Sequence, residues 1–401
     1  MRIYGPQAFG VLGTFSSVSM ILITVAALTY PTAIVLPRRE EDARSLIRLS
    51  LTVAAVFALA IMAVLLVFGK EIAEILHLSI LIPYLLVIPF TMFTGTLLET
   101  CQQWLYRTQK FRLTAVASTI HALIYNTMRS GAGLILASPA VLVITTALYH
   151  AVHSCILIIG IQLNRKNRVR QIVPESITNS SIQDVAKRYK DFPIFRAPQV
   201  LINAIAVNMP TLVLSSMFNA VPAGYFALCA QVLSMPNNLI GKAVGDVYYP
   251  RISQAIHNKD KLVPLLFKGI VGLTAVGFVP FIALSIIGPW LFGFVFGVEW
   301  YAAGEYARWL ALAEFVGFIA RPCMVAIPAM ELQARYLIVE IVSTVLRISS
   351  AVLGGIIFND PMGVVASYAT VNGIINFTVI ALVLFQARKW DQRTAVNITN
   401  A

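Results

Sequence analysis

The sequence predicts an all-α polytopic membrane protein in which two bundles of transmembrane helices surround a central cavity. Three observations lead there. Of 401 residues, 58% are hydrophobic and 12% charged, with a mean hydropathy of +0.79, far from the balance of a soluble domain of this size. The apolar residues fall in eleven runs, each long enough to cross a hydrocarbon core that takes about 20 residues of helix. The runs also repeat. From Phe9-Gly10, and again from Gly224-Tyr225, the chain passes through an apolar run to a proline, Pro37 or Pro250. A charged loop and another run follow, ending near Gly69 or Gly288. The second copy has a helix ahead of Gly224 that the first lacks ahead of Gly10, so five spans plus six resemble a six-plus-six plan without its first helix.

In order, the expected spans are 11–36, 49–68, 79–105, 111–137, 139–161, 194–218, 222–250, 264–291, 302–328, 333–358 and 362–387. Pro31, Pro89, Pro210, Pro236 and Pro280 lie inside them and are expected to kink their helices. The organisation is then an amino-terminal bundle of five spans (1–161), a linker (162–192) and a carboxy-terminal bundle of six spans (193–401). Lys and Arg divide 21 against 2 between alternate sets of loops, and the richer set is assigned to the cytoplasm together with the carboxy terminus. The formal net charge of +12 is therefore a matter of orientation in the bilayer, and a nucleic-acid partner is not expected.

The linker is the only long loop. Its NRKNRVR stretch is either a topology determinant or a contact for anionic lipid heads. Ser181 followed by Asp184 reads as a helix start, and Ile182, Val185, Tyr189 and Phe192 recur at helical spacing, which predicts a short interfacial helix. The four cysteines lie in apolar runs without metal-ligand spacing and read as small packing residues. No hydrolytic constellation or phosphate-binding glycine loop stands out, so neither an enzymatic role nor a cofactor or bound metal is expected.

Polar stripes inside the spans carry the chemistry. Thr114, Ser118, His121, Tyr125 and Arg129 follow at three- or four-residue steps and share one helix face. Gln231, Ser234, Asn238, Lys242, Asp246 and Tyr249 do the same, as do Glu314, Gly317 and Arg321, then Glu340, Ser343, Arg347 and Gly354. Asn372 and Asn376 mark the last span. A mid-bilayer Arg or Lys costs about 2.5–3.5 kcal/mol even on the mildest scale. Arg129, Lys242, Arg321 and Arg347, with Asn238 and Tyr125, are thus candidate ligands for a large hydrophilic anion, since guanidinium forks match phosphate oxygens. Asp246, Glu314 and Glu340 are candidates for taking up a coupling ion, or else balance the neighbouring cations: Lys242 by Asp246, Arg321 by Glu314 and Arg347 by Glu340. Arg129 has no acidic neighbour on its own helix.

The stretches RIYGPQAFGVLG, LTYPTAIVLPRREEDARSLIRLS, KRYKDFPIFRAPQVLINAIAVNMPTLVLSSMF, AGYFALCAQVLSMPNNLIGKAVGDVYYPRIS and FGVEWYAAGEYARWLAL resemble the polysaccharide-repeat flippases. These are the O-antigen and capsule transporters of the multidrug/oligosaccharidyl-lipid/polysaccharide exporter superfamily. The resemblance implies a twelve-helix, two-bundle fold with a cationic central cavity, here without the first helix. It implies a substrate of undecaprenyl-diphosphate-linked oligosaccharide, carried from the cytoplasmic to the periplasmic leaflet of a bacterial inner membrane by alternating access with H+ or Na+. Membrane lipids and polysaccharide polymerase or assembly proteins are the implied partners. A cation-coupled drug or metabolite exporter of the same superfamily would call for an acidic cavity. A membrane glycan polymerase or ligase would call for a large periplasmic loop, whereas the one long loop is assigned to the cytoplasm.

Overall fold

The structure is a computed structural model that describes residues 2–166 and 181–399; the side chains of 164–166, 238–239, 242–243, 246, 334–335 and 395–399 lie outside the description. The described residues form α-helices with no strand. Two compact units divide the chain, Ile3–Asn208 and Met209–Ala401.

The first unit holds α1 (Pro6–Ala26), α2 (Tyr30–Ala33), α3 (Glu40–Ile75), α4 (Val87–Arg107), α5 (Phe111–Ile135), α6 (Pro139–Lys166), α7 (Ile182–Arg188) and the start of α8 (Ala197–Met217). The second holds the end of α8, then α9 (Ala220–His257), α10 (Leu262–Phe296), α11 (Tyr301–Ile319), α12 (Arg321–Ala329), α13 (Gln333–Phe358) and α14 (Pro361–Thr399). Every expected span coincides with a helix or a broken pair. Eight helical segments are long and apolar enough to cross a membrane; α4, α5 and α9 have spanning length but more polar composition. Those three carry inward-facing Thr, His and Asn side chains, and burying polar groups on one face is what lowers their average apolarity. The chain is a multi-pass membrane protein.

Three expected single spans are broken; 79–105 divides into a 3-10 turn over Ser79–Tyr84 and α4 from Val87. The first span parts at Leu28 and Thr29, whose φ values of 49° and 58° are left-handed, so α1 ends before Pro31, which then falls in the first turn of α2. Thr29 is β-branched and disfavours this region; its hydroxyl donates to the Phe192 carbonyl at 3.2 Å, within a turn of π-helix over Phe192–Arg196 that precedes α8. The ninth span parts at Ala320, and Pro322 sits in the first turn of α12, where its missing N–H costs nothing. By contrast α8, α9 and α10 continue through Pro210, Pro236, Pro250, Pro280 and Pro289.

Ser181 caps α7, accepting from the Gln183 N–H at 3.3 Å. The helix ends at Arg188, but Tyr189 and Phe192 continue its apolar face, and with Val185 they pack on Tyr30, Ile34, Leu46 and Leu49. Arg188 pairs with the buried Asp42 at 2.9 Å and pins this helix to the start of α3. The NRKNRVR cluster begins at side chains and ends at residues outside the described set. Helices meet closely where side chains are small: a Cβ on Gly304 would stand 2.2 Å from the Pro289 Cα, and one on Gly354 would stand 2.4 Å from the Gly363 carbonyl. Close approach through glycine is the packing available to helices in lipid, where outer faces are as apolar as the core. Large outward side chains such as Leu59, Leu66, Val67 and Phe68 on α3 suit that surroundings. Cys101, Cys229 and Cys323 are buried as expected, whereas Cys155 is exposed.

Candidate functional site

In the first unit the stripe predicted on α5 faces inward. His121 is buried and Tyr125 and Arg129 are half-buried. Arg129 Nη1 donates to the Tyr125 hydroxyl at 3.0 Å, and that hydroxyl lies 3.3 Å from Thr146 Oγ1 on α6. The guanidinium carbon is 5.4 Å from the centre of the Phe9 ring and 5.8 Å from that of Tyr125. Two ring faces thus take the place of a carboxylate, a form of partial compensation that keeps the positive charge uncancelled. Tyr4 donates to the Arg129 backbone carbonyl at 2.7 Å and anchors this end of α5 to the segment leading into α1. Arg129 Nη2 is buried and has no hydrogen-bond partner. Among the described residues Arg129 makes no ion pair, in agreement with the lack of an acidic neighbour in its sequence.

The second unit gathers a different set. Asn237 of α9 donates to Glu314 of α11 at 2.5 Å. Arg321 of α12 and Arg347 of α13 both act electrostatically on that carboxylate. The break at Ala320 turns Arg321 off the helix that carries Glu314, so the two are neighbours across a bend and not along one stripe. Arg347 Nη1 lies 4.0 Å from Glu340 Oε1, the predicted partner seven residues away, with both side chains nearly buried. Nε of Arg321 and of Arg347 each lack a hydrogen-bond partner. Tyr336 and Tyr368 lie within the same electrostatic neighbourhood. Asn376, whose amide donates to the Asn372 carbonyl at 2.9 Å, stands 3.4 Å from where a Cβ on Gly317 would be. The predicted Asn238, Lys242 and Asp246 have side chains outside the described set.

Asn237, Tyr336 and Tyr368 were not singled out in the sequence. For Asn237 a signal existed: Gly241 and Gly245 follow at four-residue steps, and a Cβ on Gly241 would stand 3.4 Å from Arg321 Nε. A face that thins to glycine beside an asparagine is one that another helix approaches closely. The arrangement holds two carboxylates against two guanidiniums in one unit and a lone guanidinium in the other.

A family profile described as "Polysaccharide biosynthesis protein" matches residues 1–305. The chain belongs to this polysaccharide biosynthesis protein family. No curated protein matches the sequence. Among solved structures, an inward-facing multidrug resistance MATE family transporter of the MOP superfamily is similar with a TM-score of 0.75 at 12% identity, over 97% of this chain and 92% of that one. A MATE protein in complex with MaL6 gives 0.60 at 13% identity, over 97% and 90%. The eukaryotic MATE transporter AtDTX14 gives 0.52 at 14%, over 98% and 88%. At such identities the likeness establishes the fold: this member of the polysaccharide biosynthesis family is built on the MATE plan of two helical bundles, as its sequence predicted.

Proposed function

We propose that this polysaccharide biosynthesis family member is a flippase for a lipid-linked oligosaccharide. In this reading it moves an undecaprenyl-diphosphate-linked repeat unit from the cytoplasmic to the periplasmic leaflet of a bacterial inner membrane, by alternating access coupled to H+ or Na+. The observation that carries it is Arg129: a guanidinium on a helix of spanning length, without an ion pair among the described residues, with one buried N–H unpartnered. Such a donor is expensive to leave empty in lipid and suits a diphosphate, whose oxygens accept charge-assisted hydrogen bonds. The family assignment supports a polyanionic glycan-lipid substrate, and the MATE fold supports transport. In the second unit Glu314, held by Asn237 and facing two guanidiniums, is the carboxylate best placed to exchange an ion. Glu340 and Asp246 are the other acidic candidates.

Reconstitution into proteoliposomes with a diphosphate-linked oligosaccharide on one leaflet tests the reading directly. Translocation above the protein-free background, faster with an imposed proton or sodium gradient, is expected. Equal rates for this lipid with and without the protein would reject it. The MATE fold also favours a multidrug exporter as a second reading, and uptake of a hydrophobic cation in the same vesicles would support that one instead.

A further inference from the structure

Two turns of α5 before Arg129, three imidazoles collect in the first unit. His121 of α5 and His153 of α6 stack with ring centres 4.5 Å apart and planes 7° from parallel. Tyr149 sets its edge against His121 at 4.4 Å and against His150 at 5.2 Å. His121 and His153 are only 2% and 4% exposed. Four of their ring nitrogens have no hydrogen-bond partner: His121 Nε2, His150 Nδ1 and both nitrogens of His153. Phenylalanine or leucine would fill the same space without leaving any polar atom unmet. A concentration of unmet nitrogens inside a spanning bundle therefore calls for a ligand.

We propose that His121, His150 and His153 form a proton-binding site, in which the stacked His121–His153 pair takes up one proton and excludes a second. A neutral imidazole keeps one nitrogen lone pair as an acceptor, and that lone pair is the binding atom for the proton. Once one ring of the stack is cationic, a second positive charge at the same separation is strongly opposed, so the two rings titrate as a unit. The parallel stacking turns the ring faces toward each other and does not converge their lone pairs on a common point. Consistently, no His, Cys, Asp or Glu group among the described residues has the arrangement of a metal site.

The rings act electrostatically on one another. On their own helices the neighbouring ionisable groups are Tyr125 and Arg129 of α5 and Tyr149 of α6. From α4, Glu99 has Arg196 as its electrostatic partner, Cys101 has Cys155, and Arg107 at the far end is bonded to the carbonyls of the α2–α3 loop. Helix α1 bears no ionisable side chain, and Tyr4 before it is committed to the Arg129 carbonyl. Use of this proton to drive transport rests on the function proposed above; its binding does not.

The chain has five histidines, so nitrogen spectra of the full chain labelled with 15N-histidine in nanodiscs can be assigned by single substitution. His77 and His257, outside the cluster, serve as references. Titration from pH 5 to 8 without substrate is expected to show His121 and His153 moving together in a single step that leaves one proton shared between the two rings. In His153→Phe, which keeps a ring in the stack, the His121 shift should grow to that of a fully protonated ring, and His121→Phe should do the same to His153. Rings that stay neutral across the range, or a His121 curve unaltered by His153→Phe, would overturn the proposal. Because no transport is measured, failure here is separate from failure of the flippase reading.

Discussion

Arg129 and Glu314 make opposite demands on a substituent. Arg129 is compensated by a phenol and two ring faces, and its fork has a free N–H; an alanine there removes the charge and every donor, while a lysine keeps the charge and loses the fork. Hydrogen bonds to charged groups contribute about 1.5–3 kcal/mol, so Arg129→Ala is expected to reduce translocation about 10- to 100-fold, with Arg129→Lys between it and the parent. Initial rates in proteoliposomes measure this, and a variant with unaltered rates would remove Arg129 from the substrate path. Glu314→Gln conserves an oxygen for the Asn237 amide and deletes only the charge. Translocation by Glu314→Gln is therefore expected to persist at a basal rate that no longer responds to the ion gradient. Arg129 could be singled out from sequence because an unpaired cation on a polar stripe is a local signal. The Asn237–Glu314 contact could not, since it joins residues 77 apart in sequence on two different helices.

At the scale of elements, the apolar runs located the long helices, eight of them in segments apolar enough to cross a membrane, but they did not locate the breaks. Thr29 is left-handed without being glycine, and the residue that permits this, Phe192, lies beyond the whole bundle in sequence. Ala320 has ordinary helical angles, and only Pro322 after it hints at a new start. Helix contacts follow the glycines instead. At Gly304 a Cβ would meet the Pro289 backbone at 2.2 Å and the Gly288 carbonyl carbon at 2.5 Å, so neither side can give without parting α10 from α11. Gly131 on α5 has open space within 4 Å. Gly304→Ala is expected to lose about 1–3 kcal/mol, the range for overpacking. Gly131→Ala should be neutral or gain about 0.5–1 kcal/mol from helix propensity. Thermal unfolding of the two variants in one detergent makes the comparison, and equal melting shifts would contradict the backbone-to-backbone contact.

For the molecule as a whole, the count of basic residues grouped loops far apart in sequence on one side, and the contacts within each unit join those same loops. In the first unit Arg107 donates to the carbonyls of Ile34, Pro37, Arg38 and Arg39, and Arg188 pairs with Asp42. The turns after α2 and α4 and the helix α7 therefore share an end. In the second unit Asp391, near the end of α14, accepts from the Leu262 and Val263 N–H groups at 2.7 and 3.2 Å and caps α10, which joins the 258–261 turn to the carboxy-terminal segment. The turn at Gly297–Trp300 lies at the other end of α10 and bears no Lys or Arg. Excess Lys and Arg hold a loop on the cytoplasmic side. Alkaline phosphatase, active only outside the cytoplasm, should thus be inactive when fused after Arg393 and active when inserted after Gly297, and a fluorescent protein that matures only in the cytoplasm should give the reverse. Moving the charge tests the cause: replacing Arg38, Arg39 and Arg44 with alanine leaves the second unit's bias in place, so the fusion after Arg393 should keep its sign. Inversion by those three substitutions alone would mean that the first charged loop, and not the sum over both units, orients the chain.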